Sequence, residues 1–277
     1  MRKADNSVQT NNKRMMSITS VQNEKVKAMA ALLEKKHRDR SGRFIIEGVH
    51  LVQEALLAGA DVETIVIDME RGVPGELRTL LSQTDCELIE ATPAVMAKCT
   101  GTDSPPPVFG VAAKPYADRS KLYQQDSLVV VLDGVRDPGN VGTIIRSADA
   151  VGAHAVVLGQ GCVDLYNPKT VRSTMGSLFH LPVIEGDLSE LLPEAKKHGI
   201  SLVGTSLQAS ATCYSYNWSG PTWLLMGSES QGLSADVLGL VDTSIIIPMH
   251  GHSESLNVAM ASTILLYEAL RQRRYAE

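Results

Sequence analysis

The strongest constraint in the sequence is a run of five aliphatic residues, Leu128–Leu132 (LVVVL), that leads straight into a glycine-bearing turn. A strand that is apolar at every position has no polar face to offer water, so it belongs in a sheet covered on both sides. The pattern recurs. Ala155–Leu158, Leu181–Ile184, Ser201–Thr205, Trp223–Met226 and Ser244–Ile247 read as further strands. Helical patterns over Asn140–Val151, Thr170–Ser177, Leu188–His198, Ala235–Leu238 and Leu256–Arg273 fall between and after them. Alternation at this spacing predicts an α/β fold, a mostly parallel sheet with helices on both faces.

The first half repeats the alternation on a smaller scale. Val26, Met29, Ala30 and Leu33 sit at i, i+3, i+4 and i+7, which predicts one helix over Asn23–Arg40, stopped by Ser41-Gly42. Strands at Phe44–Glu47, Thr64–Asp68, Cys86–Glu90 and Val108–Ala113 alternate with helices at His50–Leu57, Glu76–Ser82 and Pro93–Lys98. The reading is a small α/β domain over 17–113, a polar linker over 114–126 and a larger domain over 127–277, consistent with 277 residues in total. Residues 1–16 are polar, lack an apolar signal region and are expected to be a disordered extension. No apolar run reaches membrane-spanning length. Four scattered cysteines without a CxxC fit neither a disulfide framework nor a zinc cluster, and point to a reducing, cytoplasmic setting.

Charge is unevenly placed. The chain is −5 overall, yet residues 1–43 hold 11 Lys/Arg against 4 Asp/Glu, a net of +7. A basic N-terminal piece on an acidic body suits a polyanionic partner, although a solubilising tail has the same composition. Aromatic residues make up only 4% of the chain, so base stacking on an aromatic sheet is not expected.

In open α/β sheets, ligands bind beyond the carboxyl ends of strands. Three loops there carry chemistry. The first, Asp133–Gly142, has three glycines, but neither GxGxxG nor GxxxxGK[ST] is present, which argues against a dinucleotide fold and a P-loop. A nicotinamide-dependent oxidoreductase is disfavoured on the same ground. The second, Met226–Gly232, holds Glu229 between two glycines. The third, Ile247–Val258, places Ser255 where a helix cap belongs and Asn257 in the first turn. Taken singly, each reads as structural. His250 and His252 have no third ligand at suitable spacing, so no metal is expected.

Together, and in this order, the loops resemble the SpoU (TrmH-like) family of RNA ribose 2′-O-methyltransferases within the SPOUT class. The matching residues are Asn140-x-Gly142-x-x-x-Arg146-x-Ala148, Gly227-x-Glu229-x-x-Gly232, and Ile247-Pro248-Met249 followed by Ser255-Leu256-Asn257-Val258. This similarity covers about residues 127–274. The first half is similar to the family's L30e-like substrate-binding domain through ITSVQNEKVK, GRFIIEG and SPPPVFGV, which echo a subgroup acting on large-subunit rRNA.

The resemblance implies a deep C-terminal trefoil knot, S-adenosylmethionine as cofactor, an RNA substrate and a homodimer. It implies cofactor contacts at Thr205, Ser206, Gly227, Ile247, Met249, Ser255, Leu256 and Asn257. It implies a catalytic set of Arg146, Asn140, Glu229, Ser255 and Asn257, with Arg146 central. The basic residues Lys35, Lys36, Arg38, Arg40 and Arg43 are then expected to hold RNA phosphates. Ala259, Leu265, Leu266, Ala269 and Leu270 form an apolar face on the last helix that suits either a dimer contact or the core. Large-subunit rRNA is the preferred target; a tRNA target or a non-catalytic RNA-binding protein on the same fold is the alternative.

Overall fold

The computed structural model describes residues 15–116 and 118–275, so most of the expected N-terminal extension lies outside the described residues. The chain divides after Lys114 into two compact units.

The first unit runs β1 (Met16–Ile18), α1 (Glu24–Ala31), α2 (Lys35–Ser41), β2 (Arg43–Glu47), α3 (Val49–Leu57) and β3 (Val62–Asp68). It continues through α4 (Arg78–Gln83), β4 (Glu87–Ala91), α5 (Pro93–Thr100) and β5 (Val108–Ala113). Its sheet has the order β1-β4-β3-β5-β2, with β5 antiparallel to both neighbours and the remaining pairs parallel. Two departures from the sequence reading stand out. Met16, assigned to the extension, opens a strand paired with β4. The single helix expected over Asn23–Arg40 is two: Asn23 caps α1, and a turn through Leu32 and Leu33 separates it from α2. Gly42, at φ 68°, ends α2 in the left-handed conformation that glycine adopts without a Cβ penalty.

The second unit begins with a turn of 3₁₀ helix at Arg119–Tyr123 whose Leu122 is fully buried, so part of the expected linker belongs to this unit's core. Then come β6 (Leu128–Asp133), α6 (Pro138–Ala150), β7 (Ala155–Leu158), α7 (Pro168–Ser173), β8 (Val183–Glu185), α8 (Leu188–Lys197) and β9 (Ser201–Thr205). After these follow β10 (Ala211–Thr212), β11 (Thr222–Gly227), α9 (Ala235–Leu238), β12 (Thr243–Ile246) and α10 (Val258–Tyr275). The sheet order is β10-β12-β9-β11-β6-β7-β8, and every pair is parallel.

Every residue from Val129 to Leu132 is fully buried, so both faces of β6 are covered, as its composition requires. Parallel pairing has a consequence for chemistry: all strands end on the same edge. Asp133 stands beside Gly227 in register, and Thr205 beside Ile245. The loops after β6, β9, β11 and β12 therefore emerge together.

Candidate active site

The first of these loops enters α6 through Asp137, whose Oδ1 accepts the Asn140 backbone amide at 2.8 Å, with Pro138 in the first turn. Asn140 is thereby fixed in that turn. The second loop closes on itself, with Ser228 and Gly232 exchanging backbone hydrogen bonds of 3.0 and 2.9 Å and Gly232 at φ 68°. Glu229 rides its apex. The third loop enters α10, and Asn257 rather than Ser255 caps that helix: Asn257 Oδ1 accepts the amides of Ala259 at 2.9 Å and Met260 at 3.3 Å. The helix starts two residues later than the sequence suggested, which moves the capping role along the chain.

These three loops are tied together by one side chain. Asn140 Nδ2 donates to Glu229 Oε1, and Asn140 Oδ1 accepts from Asn257 Nδ2 at 3.0 Å. A carboxamide offers a donor and an acceptor side by side, which is what bridging a carboxylate and a second amide requires.

Two motif glycines serve packing. A Cβ on Gly142 would lie 2.3 Å from the Ser173 Cβ and 2.9 Å from the Thr170 carbonyl oxygen, so this glycine lets α6 and α7 touch. A Cβ on Gly227 would fall 2.0 Å from the Gly232 carbonyl carbon, so the second turn could not close over it.

Beside the linked side chains lies a cavity of about 570 Å³. Thr205, Ser206, Gly227, Ile247, Met249, Ser255, Leu256 and Asn257 all line it, and so does Glu229. Sequence reasoning missed Leu207 and Leu238, which line it as well and are 60% and 49% exposed. Large aliphatic residues that face solvent around one hollow are a surface prepared to cover an apolar ligand. Only the fold could reveal them, because nothing in the local pattern separates them from core leucines.

Arg146 stands apart. It is exposed on α6, does not line the cavity, and has no carboxylate partner among the described residues. The thiols are not set up as nucleophiles: burial pushes the Cys99 thiol up to about 11 and raises Cys162 and Cys213 as well, which disfavours the thiolate.

The predicted phosphate-binding residues of the first unit divide into three groups. Lys36 and Arg40 are exposed and have no acidic partner among the described residues. Lys35 pairs with Asp39 at 3.1 Å, and Arg43 with Glu63 at 2.6 Å. Arg38 needs correction: it is only 3% exposed, and its Nη1 donates to the Leu32 carbonyl at 2.7 Å. Its guanidinium secures the turn between α1 and α2 and is turned away from any polyanion. The apolar face of α10 also resolves. Ala259, Leu265, Leu266 and Ala269 are buried within the chain, whereas Met260, Ile264 and Tyr267 form an exposed stripe at i, i+4 and i+7.

Comparison with known proteins agrees with this geometry. Residues 127–267 match the SpoU rRNA methylase family, and residues 23–110 match the MRM3-like substrate binding domain. The chain is 38% identical to the Bacillus subtilis 23S rRNA (guanosine(2553)-2'-O)-methyltransferase RlmP, over 91% of this chain and 98% of that protein. It is 37% identical to the 23S rRNA (uridine(2479)-2'-O)-methyltransferase of Streptomyces viridochromogenes, over 88% of each. Among solved structures, that of the SpoU methyltransferase AviRb from Streptomyces viridochromogenes in complex with AdoMet superposes with a TM-score of 0.85 at 36% identity. It covers 92% of this chain and 100% of that one. On sequence and structure alike, the chain belongs to the SpoU rRNA methylase family.

Proposed function

We propose that the chain transfers a methyl group from S-adenosylmethionine to a ribose 2′-hydroxyl of large-subunit rRNA. The observation that carries this reading is the Glu229–Asn140–Asn257 linkage at the wall of a cavity that fits the cofactor. The fit rests on volume, within the roughly 300–1,000 Å³ of ordinary ligand pockets, and on lining chemistry. Leu207, Leu238, Leu256 and Ile247 offer an apolar bed for a purine, and Ser206, Ser255 and Asn257 offer polar groups for a ribose and an amino acid moiety. When bound there, the cofactor supplies an electrophilic methyl on a sulfonium, already a good leaving group.

What remains for the protein is alignment and removal of one proton. A guanidinium holds its proton tightly, so it is a poor base but a strong, planar phosphate ligand. Arg146 therefore grips the phosphate next to the target ribose. The hydroxyl proton passes to that phosphate, or to a transiently neutral Arg146, as the oxygen–methyl bond forms. Asn140, held between Glu229 and Asn257, sets the position of the hydroxyl.

A second copy of the chain completes this arrangement. Support comes from Arg146 lying outside the cavity lining and from the exposed Met260, Ile264 and Tyr267 stripe on α10, the helix that packs on α6 and shares the 2.7 Å Ser147–Thr263 hydrogen bond with it. The C-terminal segment is threaded as a trefoil knot, a reading supported by β12 lying between β10 and β9 while α10 packs against α6. The first unit binds RNA through Lys36 and Arg40, with Lys35 and Arg43 released from weak surface pairs on binding. Four free cysteines support a cytoplasmic setting.

The test is Arg146→Ala. Methylation of unmodified large-subunit rRNA is expected to fall by about 10³-fold while calorimetric S-adenosylmethionine binding persists. Methylation near the wild-type rate would remove Arg146 from the mechanism.

A further inference from the structure

The turn Ser228–Gly232 has a second side. Across it from the first cavity lies a pocket of about 480 Å³, lined by polar residues and glycines where β6, β7 and β11 end. Its floor is glycine. Gly134, Gly161 and Gly232 take φ values of 67°, 79° and 68°, and a Cβ on Gly161 would stand 3.7 Å from the Gly134 Cα. The loops after three strands thus expose glycine backbone to whatever enters.

The side chains around this floor are Asp133, Asp137, Glu229, Arg136 and Gln160. Each carboxylate has one oxygen committed. Asp133 Oδ2 accepts the Ser234 amide at 2.7 Å, Asp137 Oδ1 the Asn140 amide at 2.8 Å, and Glu229 Oε1 the Asn140 side chain. The remaining oxygens have no protein donor among the described residues, and Arg136 is exposed without an acidic partner among them. The committed bonds hold the carboxylates in place, so their free oxygens are pre-set acceptors.

Three carboxylates against one guanidinium repel a phosphate and call for a neutral ligand that brings N–H donors. An unpaired nucleobase has that character. Guanine alone presents two adjacent donors, N1–H and N2–H₂, on its Watson–Crick edge, which two free carboxylate oxygens can accept. Its O6 and N7 suit an arginine fork.

We propose that this pocket holds guanine as the base of the nucleotide whose ribose is methylated, with Asp133 and Asp137 accepting from N1–H and N2–H₂ and Arg136 donating to O6 or N7. The proposal rests on the ribose-methylation reading and deepens it. The base lies next to the methyl donor because Glu229 and its turn wall both hollows, and the same Glu229 holds Asn140, which positions the ribose hydroxyl. Family membership leaves the base open, since the two relatives named above act on a guanosine and on a uridine.

The experiment titrates the full chain, saturated with S-adenosylhomocysteine, with guanosine, inosine, adenosine, cytidine and uridine in turn. Guanosine is expected to bind most tightly, with inosine, which lacks the N2 amino group, weaker by about 10-fold. Arg136→Ala and Asp137→Asn should each weaken guanosine binding by about 10-fold with S-adenosylhomocysteine affinity unchanged. Asparagine keeps the cap on α6 while turning an acceptor into a donor, so folding is preserved. No saturable guanosine binding, no preference among the bases, or unchanged guanosine affinity in both variants overturns the proposal. Failure to bind S-adenosylhomocysteine counts instead against the methyltransferase reading and leaves the nucleoside ranking measurable.

Discussion

Asn140 joins three loops with one amide, and no charged residue could take its place. Asn140→Asp would keep the shape but lose the donor to Glu229 and set two carboxylates against each other. Single-turnover methylation is expected to drop by about 10²-fold, as for a small misplacement of reacting groups, while the thermal midpoint stays close to wild type because the network is solvent-facing. A variant with wild-type turnover would show that the linkage is ornamental. The residues of this network could be read from sequence because each sits in a short motif after a strand. Arg38 could not. Its charge suggests RNA, and only the turn that follows α1 shows the guanidinium folded onto the Leu32 carbonyl. Gly142 was legible in the sequence only as one glycine of the first loop motif: its function, the contact of α6 with Ser173, lies in three dimensions.

At the scale of elements, periodicity carried the strands and helices whose burial is continuous, β6 and α6 above all. It gave no sign of β1 or β10, because strands of three and two residues are too short to establish an alternation. The end of α10 shows what holds the last helix. Arg273 donates to the carbonyls of Trp218 at 2.8 Å, Asp126 at 2.7 Å, Ser127 at 3.3 Å and Gly220 at 2.6 Å, which fastens the helix to the starts of β6 and β11. Burial lowers its pKa from the ordinary guanidinium value, a desolvation that these four acceptors offset. Arg273→Ala strands the carbonyls and should cost about 3 kcal/mol in denaturant unfolding, with Arg273→Lys recovering less than half because an ammonium cannot span the same fork. Unfolding free energies equal to wild type in both variants would mean that the clasp contributes nothing.

For the whole molecule, charge and oligomeric state are the quantities to measure. Lys36→Glu with Arg40→Glu is expected to weaken rRNA binding and to lower the slope of log affinity against log salt by about 2, with cofactor affinity unchanged. Equal losses of RNA and cofactor binding would contradict a division of labour between the two units. Tyr267→Glu places a charge in the exposed α10 stripe and should convert the proposed dimer to a monomer in sedimentation at micromolar concentration. An unchanged sedimentation coefficient would assign that stripe elsewhere. The division of the chain near Lys114 was visible as a polar break between two alternating patterns, but the capture of Leu122 by the second unit was not, because one apolar residue in a polar stretch carries no period. The most direct test of the central claim is chemical. Unmodified 23S rRNA incubated with the full chain and methyl-labelled S-adenosylmethionine is hydrolysed in alkali, which cannot cleave beside a 2′-O-methyl ribose. The account predicts label in an alkali-resistant dinucleotide; label in base-methylated mononucleotides, or none in RNA, would contradict it.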